Sequence, residues 1–142
     1  MISGTLVLVA MLGQTQPLPK ESVIEQVVRL TNAEREKAGV RKLDNNSLLD
    51  TIAEHQAKDM QFMRKLTHSD RQGRDVSQRA DLYKYPWMAI GENVAQGQRT
   101  PNEVVADWMK SKGHRANILN PDFSEIGVSR VGNYWVQVFG SR

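Results

Sequence analysis

The chain of 142 residues contains no cysteine. Secreted domains of this size often depend on disulfides, so the absence argues against a disulfide-stapled extracellular scaffold, although it leaves export from a bacterium open. A chain of this length buries one ordinary hydrophobic core without a disulfide or a metal to stabilise it. The length also fits a single domain.

Apolar runs long enough to cross a membrane are also absent. Residues 2–12 (ISGTLVLVAML) carry no charge, but a membrane-spanning helix needs about 20 apolar residues. The run has the length of the apolar core of a secretory signal, without the basic flank that usually precedes it. Residues 14–20 (QTQPLPK) are typical of an extended linker. We predict a leader or signal-like segment and linker over residues 1–20 and a single domain over residues 21–142, with an N-terminal strand or buried tail as the alternative to a leader.

The excess of positive charge is small, because 19 basic and 16 acidic residues give a formal net charge of +3. The basic residues are scattered, as at Arg71, Arg74, Arg79 and Lys84, rather than gathered in one run. Such a distribution is typical of a mixed, solvated surface. It predicts no nucleic-acid partner.

Apolar residues recur at steps of three and four residues in four segments, which predicts four amphipathic helices. The predicted helices run from Ser22 to Gly39, from Ser47 to Met63, from Asp75 to about Tyr83, and from Thr100 to Gly113. Serine, aspartate and threonine are favourable capping residues for the starts of these helices. In the fourth helix, Pro101 suits the first turn and Glu103 predicts a capping box with Thr100. His68 then follows the second helix, and His114 follows the fourth.

Three segments have the composition and alternation of strands: Ala89 to Ala95, Glu125 to Val131, and Tyr134 to Phe139. Gly132 and Asn133 separate the last two, and two turn residues between alternating runs predict a hairpin. Helices come first, and strands interleaved with helices follow. This order predicts an α+β fold in which helices cover an antiparallel sheet.

The three histidines differ in their surroundings. His55 lies within a predicted helix, four residues before Asp59, which favours a structural role, hydrogen-bonded or paired with that aspartate. His68 and His114 each lie at the end of an element, where a side chain reaches a neighbouring element without competing for core space. The chain has neither an HExxH helix nor a GxSxG nucleophile elbow. Ser111 and His114 are too close in sequence to indicate a nucleophile and its base.

Five short motifs follow one another along the chain. They are His68-Ser69-Asp70, Gly91-Glu92-Asn93-Val94-Ala95, Trp108-Met109-Lys110-Ser111, Gly113-His114-Arg115-Ala116-Asn117-Ile118-Leu119 and Tyr134-Trp135-Val136-Gln137-Val138-Phe139-Gly140. In this order they resemble the signatures of the CAP superfamily, also called the SCP or cysteine-rich secretory, antigen 5 and pathogenesis-related 1 group. The resemblance is to its bacterial, cysteine-free branch and covers about residues 21–140.

The resemblance implies an α-β-α sandwich, with a central antiparallel sheet flanked by helices, and a central polar cleft. In eukaryotic members two histidines and two glutamates line this cleft, and His68, Glu92 and His114 match three of them. The fourth position, three residues after a tryptophan, is Ser111 here, so one carboxylate is missing. We expect three further residues to support the cleft through main-chain hydrogen bonds or a local salt bridge: Asn93, Asn117 and Arg115.

The chemistry of these side chains leaves two roles open. Two imidazoles and a carboxylate suit a His₂Glu zinc site with an open position for water, whose pKa the metal lowers to about 7. His68, His114 and Glu92 are then the ligands of Zn²⁺ or another divalent cation. Alternatively, Glu92 fixes the tautomer of a histidine, and the group is a structural polar cluster that joins helix ends to the sheet.

These observations favour a secreted or cell-envelope protein that binds a ligand or partner through the cleft, rather than an enzyme. No residue is predicted to be catalytic. The resemblance implies a small ligand, lipid, polysaccharide or protein as partner. The apolar leader and the resemblance together predict export without a stable transmembrane anchor. Two alternatives stay open: a metal-dependent hydrolase of peptide or cell-wall material, and a purely structural or interaction module.

Overall fold

The structure, a computed structural model, describes residue 13 and residues 16–142. Most of the predicted leader, residues 1–20, lies outside these residues, so the leader and its strand or buried-tail alternative stay predictions. None of the helices over the described ranges combines the length and the apolar character that crossing a bilayer requires.

The described part of the chain contains helices and strands in mixed order. Its helices are α1 (Val23–Lys37), α2 (Ser47–Met63), α3 (Val76–Leu82), α4 (Pro101–Lys110) and α5 (Lys112–Ile118). Its strands are β1 (Asp44–Asn45), β2 (Ala89–Gln96), β3 (Glu125–Val131) and β4 (Tyr134–Ser141). Every predicted segment is present, and the structure adds the short strand β1 and the separate helix α5.

The helix starts follow the predicted caps with one correction at α2. Ser22 and Asp75 form capping boxes at α1 and α3. The cap of α2 is Asn46, and the prediction of Ser47 is wrong. Asn46 has extended backbone (φ −123°, ψ 120°), whereas Ser47 is already helical. The Asn46 side-chain oxygen therefore reaches two open N–H groups of the first turn, at 2.9 and 3.1 Å.

The start of α4 also differs in one detail. The Thr100 hydroxyl accepts a hydrogen bond from the N–H of Glu103, as expected of a cap. The Glu103 carboxylate, however, accepts from the N–H of Arg99 at 2.8 Å and not from that of Thr100. The predicted capping box is therefore wrong, because the exposed carboxylate reaches one residue further back along the chain.

The last predicted helix is divided in two. Ser111 takes an extended backbone (φ −93°, ψ 125°), which ends α4 at Lys110 and begins α5 at Lys112. Gly113 and His114 lie in the first turn of α5. The prediction that Gly113 ends the helix and that His114 follows it is wrong, because the extended residue comes two positions earlier.

The strands form one sheet in the order β1-β3-β4-β2. The β3–β4 and β4–β2 pairs are antiparallel, and β1 adds a short parallel pairing to β3. Gly132 has a φ of 59° in the predicted hairpin turn, and two-residue hairpins need this left-handed conformation. The three long strands make the predicted antiparallel sheet, and β2 forms one of its edges.

Helices cover both faces of the sheet. Side chains of β4 alternate between the two faces, and both sets are buried. On one face, α1, α4 and α5 enclose a core of Val27, Leu43, Ala95, Val104, Val105, Trp108, Ile118, Phe123, Ile126, Val128, Trp135 and Phe139. On the other face, α2 and α3 enclose Leu49, Ile52, Ala53, Ala57, Met60, Ala80, Tyr85, Val94, Tyr134, Val136 and Val138. This arrangement is the predicted α-β-α sandwich.

Candidate functional site

The residues of the predicted cleft gather at the edge strand β2. Successive side chains of a strand point to opposite faces, so Glu92 and Val94 face the α2–α3 layer while Asn93 faces α5. His68 lies in the loop after α2, and His114 lies in α5. The two histidines therefore approach the edge of the sheet from opposite helical layers.

Both carboxylate oxygens of Glu92 have partners. Nδ1 of His68 lies 2.9 Å from Oε1, and Nη2 of Arg79 lies 2.8 Å from Oε2. The Glu92 and Arg79 side chains are 2% and 0% exposed, whereas the His68 side chain is 58% exposed. A carboxylate only accepts hydrogen bonds, so Nδ1 of His68 carries the hydrogen. A buried acid thus holds an exposed imidazole in one tautomer, with Nε2 left for other contacts.

Arg79 is a site residue that the sequence pattern alone left among the scattered surface cations. It lies three residues after Val76 and beside Ala80, on the face of α3 that packs against the sheet. This helical spacing is the signal that could have located it. Besides the bond to Glu92, Nη2 donates to the carbonyl of His68 at 3.1 Å. Arg79 therefore holds both the acid and the loop that carries the histidine.

Amide side chains on the other face of β2 hold α5 in place. Asn93 Nδ2 donates to the carbonyl of His114 at 3.1 Å and to Gln137 at 3.1 Å. Asn117 Nδ2 donates to the carbonyl of Glu92 at 3.1 Å and to Asn93 Oδ1 at 2.9 Å. These bonds position the backbone of both elements that meet at the site.

The remaining two predicted residues make fewer contacts. Ser111 forms the junction of α4 and α5, and its side chain makes no capping hydrogen bond to α5. Ser111 supplies no charge where the resemblance implies a carboxylate. The Arg115 side chain is exposed and forms no ion pair with any residue that the structure describes, so the expected salt bridge is absent there.

We call His68, Arg79, Glu92 and His114 the His68 cluster. Its two histidines have opposite electrostatic surroundings. The hydrogen bond with Glu92 raises the pKa of His68, although partial burial opposes this effect. Burial lowers the pKa of His114, and the charge of His68 lowers it further. The pKa of His68 is thus shifted toward the protonated form, and the pKa of His114 is shifted toward the neutral form.

The donor atoms of the His68 cluster do not converge on one point as a three-ligand metal site does. Within residues 13 and 16–142, the group of three whose ligand atoms all lie within 4.8 Å of one another is His55, Asp59 and Asp70. A His₂Glu site at His68, Glu92 and His114 therefore stays a prediction.

A second polar group lies beside α2, around His55. Nε2 of His55 lies 3.0 Å from Asp70 Oδ2 and 3.6 Å from Asp59 Oδ2, while Nδ1 lies 2.8 Å from the Tyr83 hydroxyl. The expected pairing with Asp59 is present, and Asp70 is the closer partner. A cavity of about 290 Å³ opens beside this group.

The fold and the site define a class of protein: a cysteine-free α-β-α sandwich with a histidine–glutamate cluster at one edge of its sheet. A sequence profile described as "CAP: Cysteine-rich secretory protein family" matches residues 28–139. The chain therefore belongs to the CAP family, and its lack of cysteine fits the bacterial branch.

Individual relatives agree with this assignment. The chain is 42% identical over 120 residues to the uncharacterised protein YkwD of Bacillus subtilis, and the match covers 81% of this chain and 46% of YkwD. An extracellular protein with an SCP domain from Bacillus anthracis superposes with a TM-score of 0.81 at 25% identity, over 84% of this chain and 40% of that one. An outer surface protein from Borrelia burgdorferi gives a TM-score of 0.76 at 26% identity, over 82% and 90%. The chain thus spans less than half the length of YkwD.

Proposed function

We propose that this CAP domain binds a ligand or partner through the His68 cluster. The observation that carries the proposal is the state of the His68 side chain. It is 58% exposed, yet its Nδ1 is held by a carboxylate that is 2% exposed. An accessible group whose orientation is set by a buried partner loses little further freedom when it contacts a ligand.

The chemistry of the cluster favours a polar ligand. Nε2 of His68 and the ring nitrogens of His114 make no hydrogen bond to any described residue. His68 can donate a hydrogen bond and His114 can accept one, and this pair suits a ligand that carries hydroxyl or carboxylate groups. A polysaccharide or a polar segment of a protein offers such groups more readily than an apolar lipid chain does.

The same contacts support binding over hydrolysis. Ser111 and His114 are not hydrogen-bonded to each other in the described part of the chain. The Glu92 carboxylate is bonded to His68 and Arg79, and neither partner is a nucleophile that a general base could activate. A nucleophile–base pair is the minimum that covalent hydrolysis needs.

A divalent cation such as Zn²⁺ is a second candidate occupant of the cluster. Its support is the proximity of two imidazoles, which shows in the effect of the His68 charge on the pKa of His114. His68 and His114 would hold the ion, and a bound zinc ion polarises a ligand oxygen as a Lewis acid. Ser111 supplies no third charged ligand.

Export to the cell surface or beyond is part of the proposal. Its support is the apolar run of residues 2–12, together with two relatives described as an extracellular protein and an outer surface protein. Fractionation of the native host followed by mass spectrometry of the N-terminus tests both the location and the removal of residues 1–20. Recovery of the uncleaved chain from the cytosol alone would contradict this part.

The binding proposal is tested by calorimetric titration with three probes: soluble peptidoglycan fragments, phosphatidylglycerol vesicles and Zn²⁺. We expect heat with the peptidoglycan fragments that is lost in His68→Ala and in His114→Ala. If the cluster also takes the ion, one equivalent of Zn²⁺ is lost in the same variants. Arg115→Ala is the matched control, because that side chain is exposed on the same helix as His114. Fragment binding that survives both histidine changes, or histidine variants that lose only melting temperature, would favour the purely structural module instead.

A further inference from the structure

We propose that His55, Asp59 and Asp70 form a binding site for Zn²⁺ or a similar divalent transition-metal ion, separate from the His68 cluster. One imidazole and two carboxylates are suitable ligands for such an ion. All three residues are held by secondary structure or by a tightly bonded turn. The site does not depend on the proposed function of the His68 cluster.

The spacing of the ligand atoms agrees with zinc geometry. Ligands about 2.0–2.1 Å from zinc at a tetrahedral angle lie about 3.3 Å from one another. Nε2 of His55 lies 3.0 Å from Asp70 Oδ2 and 3.6 Å from Asp59 Oδ2. One ligand atom from each residue lies within 4.8 Å of the other two. Small side-chain movements are therefore enough to bring all three onto one ion.

Helix α2 and the turn at Asp70 hold the three proposed ligands in place. His55 and Asp59 are four residues apart on α2, so they lie on one face of the helix. Asp70 belongs to the following turn, where its Oδ1 accepts from the N–H groups of Gln72 and Arg74, both at 2.9 Å. The side chains of His55, Asp59 and Asp70 are 16%, 8% and 0% exposed.

Tyr83 supports the imidazole in the form that a metal requires. Its hydroxyl lies 2.8 Å from Nδ1 of His55. Without an ion, Nε2–H donates to Asp70 and Nδ1 accepts the hydroxyl hydrogen. With an ion on Nε2, the ring hydrogen moves to Nδ1 and is donated to the hydroxyl oxygen. A metal-bound histidine generally has such a partner on its other nitrogen, and a hydroxyl serves both tautomers.

The adjoining cavity of about 290 Å³ gives the site access to solvent, and its lining includes Thr51, His55, Asp59, Arg71 and Tyr83. Water from this cavity can complete the coordination, as in zinc sites with three protein ligands. An ion there joins α2 to the loop that carries His68. Zinc is therefore expected to raise the melting temperature of the wild type.

Two arginines compete with the ion for the carboxylates. Arg71 Nε lies 3.1 Å from Asp59 Oδ1, and Arg74 Nε lies 2.7 Å from Asp70 Oδ2. The Arg71 side chain is 46% exposed, so its guanidinium can leave without opening the core. Removal of this positive charge should tighten zinc binding. If the three residues had only a structural role, the same change would not increase the affinity for zinc.

The test is calorimetric titration of the full chain with ZnCl₂, with Co²⁺ absorption as a report of tetrahedral ligands. We expect saturable binding in the wild type, at least about tenfold weaker binding in His55→Gln, and about three- to tenfold tighter binding in Arg71→Gln. The double variant His68→Ala/His114→Ala separates the two sites, because it should leave this binding unchanged.

Three results would overturn the site. They are no zinc binding in either wild type or Arg71→Gln, binding that is unaffected by His55→Gln, and binding that disappears only in the His68→Ala/His114→Ala variant. If His55→Gln does not fold, Asp59→Asn and Arg71→Gln decide, since loss in the first and gain in the second are expected. A wild type that binds two ions is a further outcome. If His55→Gln loses one of them and His68→Ala/His114→Ala loses the other, both this site and the cation in the His68 cluster are supported.

Discussion

The buried ion pair between Arg79 and Glu92 gives the sharpest test of how the site is built. Replacing Arg79 with methionine keeps a long side chain in place but leaves Glu92 buried without its main counter-charge. Loss of one partner of a buried pair typically costs about 3–5 kcal/mol. Glu92 keeps its bond with His68, so we expect the lower end, about 3 kcal/mol. For a domain of this size that lowers the melting temperature by about 10 °C.

Thermal unfolding followed by circular dichroism measures the effect, with urea unfolding as a second determination. The double variant Arg79→Met/Glu92→Leu should be more stable than the sum of the two single losses, because a buried pair can be replaced by apolar groups at little cost. Arg29→Met is the control, since its pair with Glu21 is exposed and should leave stability close to wild type. Equal stability of Arg79→Met and wild type, or strictly additive losses, would refute the coupling.

Three further outcomes are expected. The pKa of His68 is raised in the folded protein, so protonated His68 stabilises the fold fully below about pH 6.5. This stabilisation is lost as the pH rises through the folded-state pKa. The melting temperature should therefore fall with rising pH in the wild type, and this fall should be absent in His68→Asn. Gly127→Ala should cost about 3 kcal/mol, because its methyl group would overlap the backbone of Leu49 in α2. Gly113→Ala meets no atom within 4 Å and should stabilise α5 by about 0.5–1 kcal/mol, and urea unfolding distinguishes the two. Asn46→Ala should cost about 1 kcal/mol while Ser47→Ala costs little, and equal losses would contradict the assignment of the cap.

Local signals in the sequence were sufficient for most of the elements. A cap and the N–H groups that it satisfies lie within three residues, so the starts of α1 and α3 follow from Ser22 and Asp75. The hairpin follows from Gly132 and Asn133 between alternating strands. Such interactions are short in range, and both partners stand close together in the sequence.

Two of the three errors arose where two neighbouring residues offered the same local signal. Asn46 and Ser47 are both good caps, and Ser111 and Gly113 both interrupt helices. The choice between the latter depends on how Trp108 of α4 and the end of α5 pack in one core. Packing of that kind involves residues distant in sequence, so periodicity cannot resolve it.

The candidate site divides in the same way. The order of the motifs around His68, Glu92 and His114 was enough to associate these three residues, because each motif is a short contiguous stretch of the chain. The role of Arg79 was not predictable in this way, because its bond to Glu92 spans 13 residues and exists only once α3 lies against β2.

By itself, the sequence determined most of the helices, the hairpin and the α+β class, and it predicted the residues of the cleft. Only the tertiary structure decided what those residues contact. It placed a buried arginine behind Glu92, and it joined His55 to partners 15 and 28 residues away. The physical reason is that caps and apolar stripes act within one or two turns. Charges and ligand atoms are brought together only by the packing of distant segments.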